Sequence, residues 1–299
     1  MSQADANPKE RVTVVEVGPR DGLQNEPAVV PTEHKVAFVE ALAAAGLPVV
    51  EATSFVNPKA VPQLADAAEV MRALRRRPGV RYPVLVPNER GLDRALAAGA
   101  DAIALFTAAT DAFARANVGA SIDETFARFR PVVERARADG MWLRGYVSVA
   151  FGCPYGGPVD SSAAVVVAER LFALGCDEVS LADTIGVVTP DALARLLAEA
   201  TERLPVARLA LHFHDTGGRA LKNVAAGLEA GVRVFDAAAG GLGGCPFAPG
   251  ARGNLATEVL VADLHRRGYE TGVDPAAVAA AADLLPFVAE RGTPRRVPA

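Results

Sequence analysis

The sequence predicts an α/β protein, a single (β/α)₈ TIM barrel in which eight parallel strands alternate with helices. Three observations carry this prediction. Eight short β-branched runs recur along the chain, each followed by an Ala- and Leu-rich stretch long enough for a helix. Eight such units suit a barrel of about 250 residues better than an open doubly wound sheet. Finally, no GxGxxG motif follows the first run, which disfavours a dinucleotide-binding fold.

The eight strands and their helices follow one another without a Pro- or Ser-rich linker, so one domain over residues 1–299 is predicted. The strands are predicted at 12–17, 48–53, 82–86, 102–107, 143–149, 178–183, 209–214 and 233–238. Helices that precede a strand end in glycine where a left-handed cap is needed, at Gly46, Gly99, Gly175 and Gly231. A Gly-rich lid loop is expected at 240–250, after strand eight, and an extra C-terminal helix at about 274–290.

Composition excludes several classes of function. The net charge is -4, and the only basic run is Arg75, Arg76 and Arg77, so nucleic-acid binding has little electrostatic support. No segment reaches about 18 strongly apolar residues, so no membrane span is predicted. Three cysteines without zinc-site spacing favour a reducing compartment, and no signal or transit peptide is recognised at the start. A cytoplasmic location is expected.

Polar residues gather where the predicted strands end, which is where barrels of this kind carry their chemistry. Strand one is followed by Arg20 and Asp21, strand two carries Glu51, strand five Tyr146 and Ser148, strand six Asp183, and strand seven His212 and His214. Strands three, four and eight offer no obvious candidate. The sequence therefore predicts an active site at the carboxyl ends of the strands.

Strand seven gives the sharpest prediction. Along LALHFH, alternation places the leucines and Phe213 on one face and both histidines on the other. If the apolar face packs on helices, His212 and His214 lie in the barrel mouth, about 7 Å apart by strand geometry. Two imidazoles at this spacing can hold one metal ion, and Asp21 at another strand end strengthens that interpretation. A pair of core or surface histidines is the alternative.

Buried acids on two strands need partners. Alternation from Val14 predicts that Glu16 faces the barrel interior, where a carboxylate is costly unless it is paired. Arg20 is one candidate partner, and a purely structural ion pair is the alternative interpretation. Glu51 could likewise anchor a neighbouring basic side chain instead of reacting.

The stretch GGLGGCPFAPG, at 240–250, holds five glycines and two prolines around Cys245. One interpretation is a lid that brings a thiol over the barrel mouth when substrate binds. The other is a flexible loop with an incidental cysteine. Asn254 lies just beyond and could cap the next helix or ligate a metal through its amide oxygen.

Together these residues resemble one family over nearly the whole chain, the hydroxymethylglutaryl-CoA lyases of the metal-dependent TIM-barrel lyase and synthase superfamily. The motifs are EVGPRDGLQNE (16–26), EATSFV (51–56), RGYVS (144–148), GCPY (152–155), DTIGV (183–187), HFHDT (212–216), GLGGCP (241–246) and GNLATE (253–258). Two departures stand out. Phe247 replaces a tyrosine frequent in the family's lid, and no cysteine follows Cys245, whereas some mitochondrial relatives carry a regulatory one.

The resemblance implies cleavage of 3-hydroxy-3-methylglutaryl-CoA to acetoacetate and acetyl-CoA, with an acyl-CoA as the small-molecule partner and a homodimer as the assembly. It implies a divalent cation, Mg²⁺ or Mn²⁺, with Asp21, His212, His214 and Asn254 as ligands. Arg20 is expected to face the developing enolate and Cys245 to be the acid of the lid. Supporting roles fall to Glu51, Asp183 and Tyr146, and Glu16 is expected to orient the arginine.

Other functions remain open from sequence alone. A pocket that accepts a methyl group could accept a longer 3-alkyl group, and a Claisen-condensing synthase of the same superfamily would share most of these motifs. Two histidines and a carboxylate also fit an iron oxygenase, although such enzymes rarely use this barrel. A non-catalytic binding protein is disfavoured, because it would not need Arg20, Asp21 and Cys245 together.

Overall fold

A curled parallel sheet forms the centre of the computed structural model, which describes residues 10–244 and 253–285. The strands are β1 (Thr13–Glu16), β2 (Val49–Val50), β3 (Thr53–Ser54), β4 (Val84–Leu85), β5 (Ala102–Ala108), β6 (Trp142–Ser148), β7 (Gly152–Cys153), β8 (Gly157–Pro158), β9 (Glu178–Asp183), β10 (Leu209–Phe213) and β11 (Val234–Ala237). The helices are α1 (Thr32–Ala44), α2 (Ala67–Ala73), α3 (Glu89–Ala97), α4 (Asp111–Val118), α5 (Ile122–Ala138), α6 (Ser161–Leu174), α7 (Pro190–Arg203), α8 (Ala220–Glu229), α9 (Thr257–Arg266) and α10 (Pro275–Ala282).

The sheet returns on itself. Its order is β2-β1-β11-β10-β9-β6-β5-β4-β3, with every pair parallel, and β2 and β3 at the two ends are halves of one extended segment. Within that segment, the Glu51 N–H donates to the Glu16 carbonyl at 2.8 Å, and the Ala52 N–H donates to the Pro83 carbonyl at 3.0 Å. Glu51 thus bonds toward β1 and Ala52 toward β4, so this one segment joins the two ends of the sheet. This arrangement matches the predicted barrel, with β2 and β3 together as strand two.

All eight predicted strands are confirmed in position, although most of their ends shift by one or two residues. The short antiparallel hairpin of β7 and β8 was not predicted; it lies in the connection between β6 and α6. The four glycines predicted to end helices all have positive φ, from 77° to 125°. A residue with a Cβ would be strained there, which accounts for glycine at each position.

Apolar side chains fill the space between the sheet and the helices. Leu211 of β10 and Phe235 of β11 reach Gly227 in α8 so closely that a Cβ at Gly227 would clash with Leu211, at 2.6 Å, and crowd Phe235, at 3.1 Å. The outward faces of these two strands therefore pack on helices, which leaves their other faces for the interior of the barrel.

The chain beyond the eighth unit only partly follows the prediction. A helix does begin after Asp274, whose carboxylate caps it, but α10 ends at Ala282 and the next three residues are not helical. Residues 286–290 of the predicted helix lie outside the described part of the chain. In the part that is described, no helix has the length and apolarity needed to cross a membrane.

Candidate active site

A cavity of about 470 Å³ opens at the carboxyl ends of the strands. Its lining includes charged and imidazole side chains, among them Arg20, Asp21, His212 and His214. It also includes apolar side chains, among them Val56, Leu85, Phe106 and Phe113. The predicted site residues thus meet a space that can take the carbon skeleton of a small molecule.

A single turn of π-helix, Gly18–Gly22, presents the first two of these residues. The carbonyl of Val17 accepts hydrogen bonds from the N–H groups of Arg20, Asp21 and Gly22, at 3.2, 2.7 and 3.3 Å. Such turns often occur at functional sites, because the extra residue redirects side chains. Here the turn directs Arg20 and Asp21 into the cavity as soon as β1 ends.

Asp21, His212 and His214 form a group that could hold a metal ion. One potential ligand atom from each lies within 4.8 Å of the other two, and the imidazole centroids are 5.3 Å apart. The expected placement of both histidines in the barrel mouth is therefore confirmed. Asn254 joins them, since its Nδ2 donates to Asp21 Oδ2 at 2.9 Å and to the carbonyl of Leu242 at 3.0 Å.

Several polar atoms at this group are buried without a hydrogen bond. They include Nδ1 of His214 and Oδ1 of Asn254. Buried polar atoms normally have partners, so orphaned atoms on two neighbours of Asp21 indicate a ligand at this group. A divalent cation fits this set of nitrogen and oxygen donors.

The protonation states also suit a cation. Burial would raise the pKa of Asp21, but Arg20 and the two imidazoles outweigh it and lower that pKa to about 2. Burial, together with the neighbouring His212, lowers the pKa of His214 to about 4. Burial acts on His212 in the same direction, yet Asp236 reverses it and raises the pKa of that imidazole. The ionised carboxylate of Asp21 and the neutral imidazole of His214 are the forms that bind metals, whereas at His212 a cation competes with a proton.

Arg20 is nearly buried, and two acids hold its guanidinium. Nη1 lies 2.7 Å from Asp21 Oδ1, and Nη2 lies 3.0 Å from Glu51 Oε2. The hydroxyl of Tyr146 donates to the same Glu51 oxygen at 2.7 Å, and the guanidinium lies 5.4 Å from the centroid of the Tyr146 ring. Glu51 and Tyr146 therefore fix the arginine from behind, as anchoring groups.

Glu16 does not pair with Arg20, contrary to the prediction. Its Oε1 accepts from the N–H groups of Gly18 and Ala239, at 2.7 and 2.9 Å, and its Oε2 accepts from the Thr257 hydroxyl at 2.7 Å. Residues opposite each other on parallel strands share a face of the sheet. Val15 is opposite Asp236 of β11, whose side chain faces the barrel interior, and Glu16 is opposite Ala237. Glu16 therefore points away from the barrel interior and ties β1 to the start of α9.

This placement predicts a pH dependence of stability. Burial raises the pKa of Glu16 from 4.5 to about 7. Between those values the folded protein binds more protons than the unfolded chain, so the free energy of unfolding falls as pH rises through this window. In Glu16→Gln the amide oxygen can accept the same two backbone N–H groups, and the amide nitrogen can donate to the Thr257 hydroxyl, without a charge. We expect the free energy of unfolding of the variant, relative to wild type, to rise by roughly 2 to 3 kcal/mol between pH 5 and pH 8.

Urea unfolding of both proteins at the two pH values measures this difference. The contributions of the other titrating groups cancel in the difference between the two proteins, because both proteins contain those groups. A difference in unfolding free energy that is equal at pH 5 and pH 8 would contradict the prediction.

Asp183 also faces the other way. Its carboxylate oxygens each accept one backbone N–H, from Val187 and Val188, both at 3.0 Å. In the register it is opposite Phe213, on the face of the sheet that packs on helices. Burial raises its pKa. Asp183 was expected to support the active site, but its carboxylate instead bonds to the loop after β9.

Two charged residues that the sequence interpretation missed lie at the centre of the barrel. Arg144 and Asp236 are fully buried and bond to each other at 2.6 Å. Strand eight thus does contribute a polar group. The signal was present, since Asp236 is the one acid within the apolar run RVFDAA, and a buried acid needs a partner.

Cys245 and most of the predicted lid lie outside the described residues. Gly244, directly before the cysteine, lines the cavity. On the other side of this segment, Gly253 approaches the carbonyl of Gly243 so closely that no Cβ would fit. Gln24 and Asn25 of the EVGPRDGLQNE motif also line the cavity.

Comparison with known proteins decides the family. The model of the HMGL-like family matches residues 11–285. This chain belongs to the HMGL-like family. A 3-hydroxy-3-methylglutaryl-CoA lyase described as cytoplasmic, from Danio rerio, is 51% identical over 286 residues, which is 96% of this chain and 85% of the relative. A mitochondrial hydroxymethylglutaryl-CoA lyase from Rattus norvegicus is 50% identical over 287 residues, or 96% of this chain and 88% of the relative.

Solved structures of HMGL-like proteins agree with the fold. The HMG-CoA lyase from Brucella melitensis is similar with a TM-score of 0.92 and 51% identity, covering 95% of this chain and 100% of that one. An HMG-CoA lyase from Acinetobacter baumannii, solved with coenzyme A and 3-methylmalate, has a TM-score of 0.90 and 38% identity over 96% and 94% of the chains. The carboxyl transferase domain of Rhizobium etli pyruvate carboxylase, at 20% identity and a TM-score of 0.70, shares the fold alone.

Proposed function

We propose that this protein cleaves 3-hydroxy-3-methylglutaryl-CoA into acetoacetate and acetyl-CoA. One observation carries the proposal: the group that can hold a cation and the buried guanidinium of Arg20 lie side by side in one cavity, with Nη1 of Arg20 2.7 Å from Asp21 Oδ1. A retro-Claisen cleavage needs both, because negative charge begins on a hydroxyl oxygen and ends on a thioester oxygen. The named lyases among its relatives support the same reaction.

A divalent cation would be held by Asp21, His212, His214 and Asn254. Mixed nitrogen and oxygen donors without thiolate favour Mg²⁺ or Mn²⁺. When bound, such a cation makes a hydroxyl group that it contacts a stronger acid. The orphaned Oδ1 of Asn254 and Nδ1 of His214 support this assignment.

Proton removal from the 3-hydroxyl begins the reaction. Asp21 and His212 border the cavity, whereas the carboxylate of Asp183 faces the loop after β9. The bond between C2 and C3 then breaks, so that C3 becomes the ketone carbon of acetoacetate and the electron pair passes to the acetyl thioester as an enolate. We assign the base to Asp21, because His212 would use one ring nitrogen for the cation and faces Asp236 with the other.

Arg20 stabilises the enolate. Its guanidinium stays charged throughout the working pH range and offers several donors in a fixed plane. Glu51 and Tyr146 already hold it, so little reorganisation is needed when charge develops on the thioester oxygen. Its Nε has no hydrogen-bond partner among the described residues, which leaves one donor unused.

A proton on carbon completes acetyl-CoA. We assign this step to Cys245, because an ordinary thiol with a pKa of about 8.5 is mostly protonated at neutral pH. Gly244, the residue before it, borders the cavity. The residues around the cysteine would form the lid that keeps water from the enolate. We also propose that the chain works as a single catalytic domain, residues 1–299, in a homodimer.

The direct test supplies 3-hydroxy-3-methylglutaryl-CoA to the protein with Mn²⁺ or Mg²⁺. We expect acetoacetate and acetyl-CoA to appear in equal amounts, without consumption of oxygen, because cleavage is neither oxidative nor condensing. Chromatography of both products measures this ratio. Oxygen-dependent turnover would favour an iron oxygenase, and condensation of acetyl-CoA with a 2-oxo acid would favour a synthase. Either result would overturn the proposal.

A further inference from the structure

A continuous chain of polar contacts crosses the barrel interior, and its central part has no role in the reaction above. Arg144 donates from Nη2 to Asp236 Oδ1 at 2.6 Å, from Nη1 to the Tyr146 hydroxyl at 2.8 Å, and from Nε to Glu178 Oε1 at 2.7 Å. Arg144 is on β6 and Asp236 is on β11, which are not adjacent in the sheet. Their contact therefore spans the interior.

Asp236 is held on both of its oxygens. While Arg144 bonds to Oδ1, the Ser180 hydroxyl donates to Oδ2 at 2.8 Å. The same Oδ2 faces Nδ1 of His212 at 3.4 Å, and the register places His212 directly opposite Asp236. A carboxylate that is fixed from two sides in this way gives the imidazole a defined neighbour.

Fold stability alone does not account for this arrangement. Arg144, Ser180 and Asp236 are each 0 to 1% exposed, and burying charges is costly even when they are paired. Apolar residues of similar volume often replace a buried ion pair without loss of stability. Arg144 of β6 and Ser180 of β9 both bond to the acid opposite His212, which indicates a function in placing that ring.

We propose that Asp236, held by Arg144 and Ser180, is the positioning residue that orients His212 for cation binding. With Nδ1 directed at the carboxylate, Nε2 is the ring nitrogen left to ligate, and the ring cannot turn without breaking that contact. The same guanidinium reaches Tyr146, which bonds to the anchor of Arg20, so one buried arginine ties the cation site to the enolate site. The inference rests on the cation site of the proposed function.

The test measures Mn²⁺ affinity and needs no substrate. Metal-free protein is titrated with Mn²⁺, and free Mn²⁺ is followed by its electron paramagnetic resonance signal. For Asp236→Asn we expect the dissociation constant to rise 10- to 100-fold, because an amide nitrogen cannot accept the Nδ1 proton. Ser180→Ala, which keeps the carboxylate but frees one oxygen, should raise it by a smaller factor of a few.

Asp263→Asn is the matched control. Asp263 is also buried, and its carboxylate binds two arginines, Arg266 and Arg267, both at 2.6 Å, but on α9 and away from the site. We expect this variant to lose thermal stability and to keep the Mn²⁺ affinity of wild type within about twofold. The comparison separates the loss of any buried ion pair from the loss of the contact with His212.

Unchanged Mn²⁺ affinity in folded Asp236→Asn would overturn the proposal. If that variant does not fold, Ser180→Ala decides, and a wild-type dissociation constant there would likewise overturn it. Wild-type protein that binds no Mn²⁺ removes the cation site and with it this inference. Wild-type protein that binds Mn²⁺ but does not cleave the thioester removes only the proposed reaction.

Discussion

Replacing Arg20 by glutamine is expected to lower the turnover number by about 10³-fold while the protein keeps its cation. Loss of one preorganised donor to a developing oxyanion costs about 10² to 10³ in turnover. Arg20 brings a full charge as well, in a nearly buried position between Asp21 and Glu51. The expected cation ligands are unchanged in the variant, so the bound metal should stay.

Steady-state formation of acetyl-CoA and the Mn²⁺ content of the purified variant test this together. Arg94→Gln is the control, since Arg94 is also partly buried near the barrel mouth, donates to the carbonyl of Val56 at 3.2 Å and stacks near Phe55, without touching the cation group. Its turnover should match wild type. A normal turnover for Arg20→Gln would remove the arginine from the mechanism.

The order of the elements could be predicted because each unit carries its own local signals. A β-branched run, a helical stretch and a terminal glycine recur, and each depends on neighbours in sequence rather than on distant contacts. The histidines of β10 were also placed correctly. Leu211 and Phe213 alternate there with His212 and His214, so the sequence shows both the alternation and which face is apolar.

The side-chain direction of Glu16 could not be predicted, because β1 gives no such contrast. Val12, Val14, Val15 and Val17 are all buried, as expected for a parallel strand with protein on both faces. Alternation then shows which residues share a face, but not which face is inward. The inward face is set by the register with β11, where Val15 is opposite Asp236, and this is a contact between the first strand and the last.

Asp183 shows the opposite case, in which the signal was present and was not used. Along EVSLAD, Glu178 and Ser180 alternate with Val179 and Leu181, and Asp183 falls on the apolar face. The structure agrees, since Ser180 bonds to Asp236 in the interior while Asp183 bonds to the following loop. A residue at the end of a strand can therefore be assigned to the active site only when alternation places its side chain on the inward face of the sheet.

Removing the cation site is expected to abolish activity, and His214→Ala is the sharpest way to do so. His214 is buried and its pKa is lowered to about 4, so it is a neutral ligand at pH 7. Without it, two of the three groups that lie within 4.8 Å of one another remain, with Asn254 beside them. We expect Mn²⁺ affinity to fall at least 100-fold, and turnover at micromolar Mn²⁺ to fall below detection.

His265→Ala is the matched control, because His265 is exposed on α9 and its imidazole bonds to Thr271 at 2.8 Å, far along the chain from the cation group. Its activity and Mn²⁺ affinity should equal those of wild type. Dialysis of wild-type protein against a chelator should also stop turnover, and Mn²⁺ should restore it, whereas His214→Ala should recover only at millimolar Mn²⁺. Full activity of the chelated wild-type protein would exclude a cation from the reaction, and with it the reason for placing Asp21, His212 and His214 around one point.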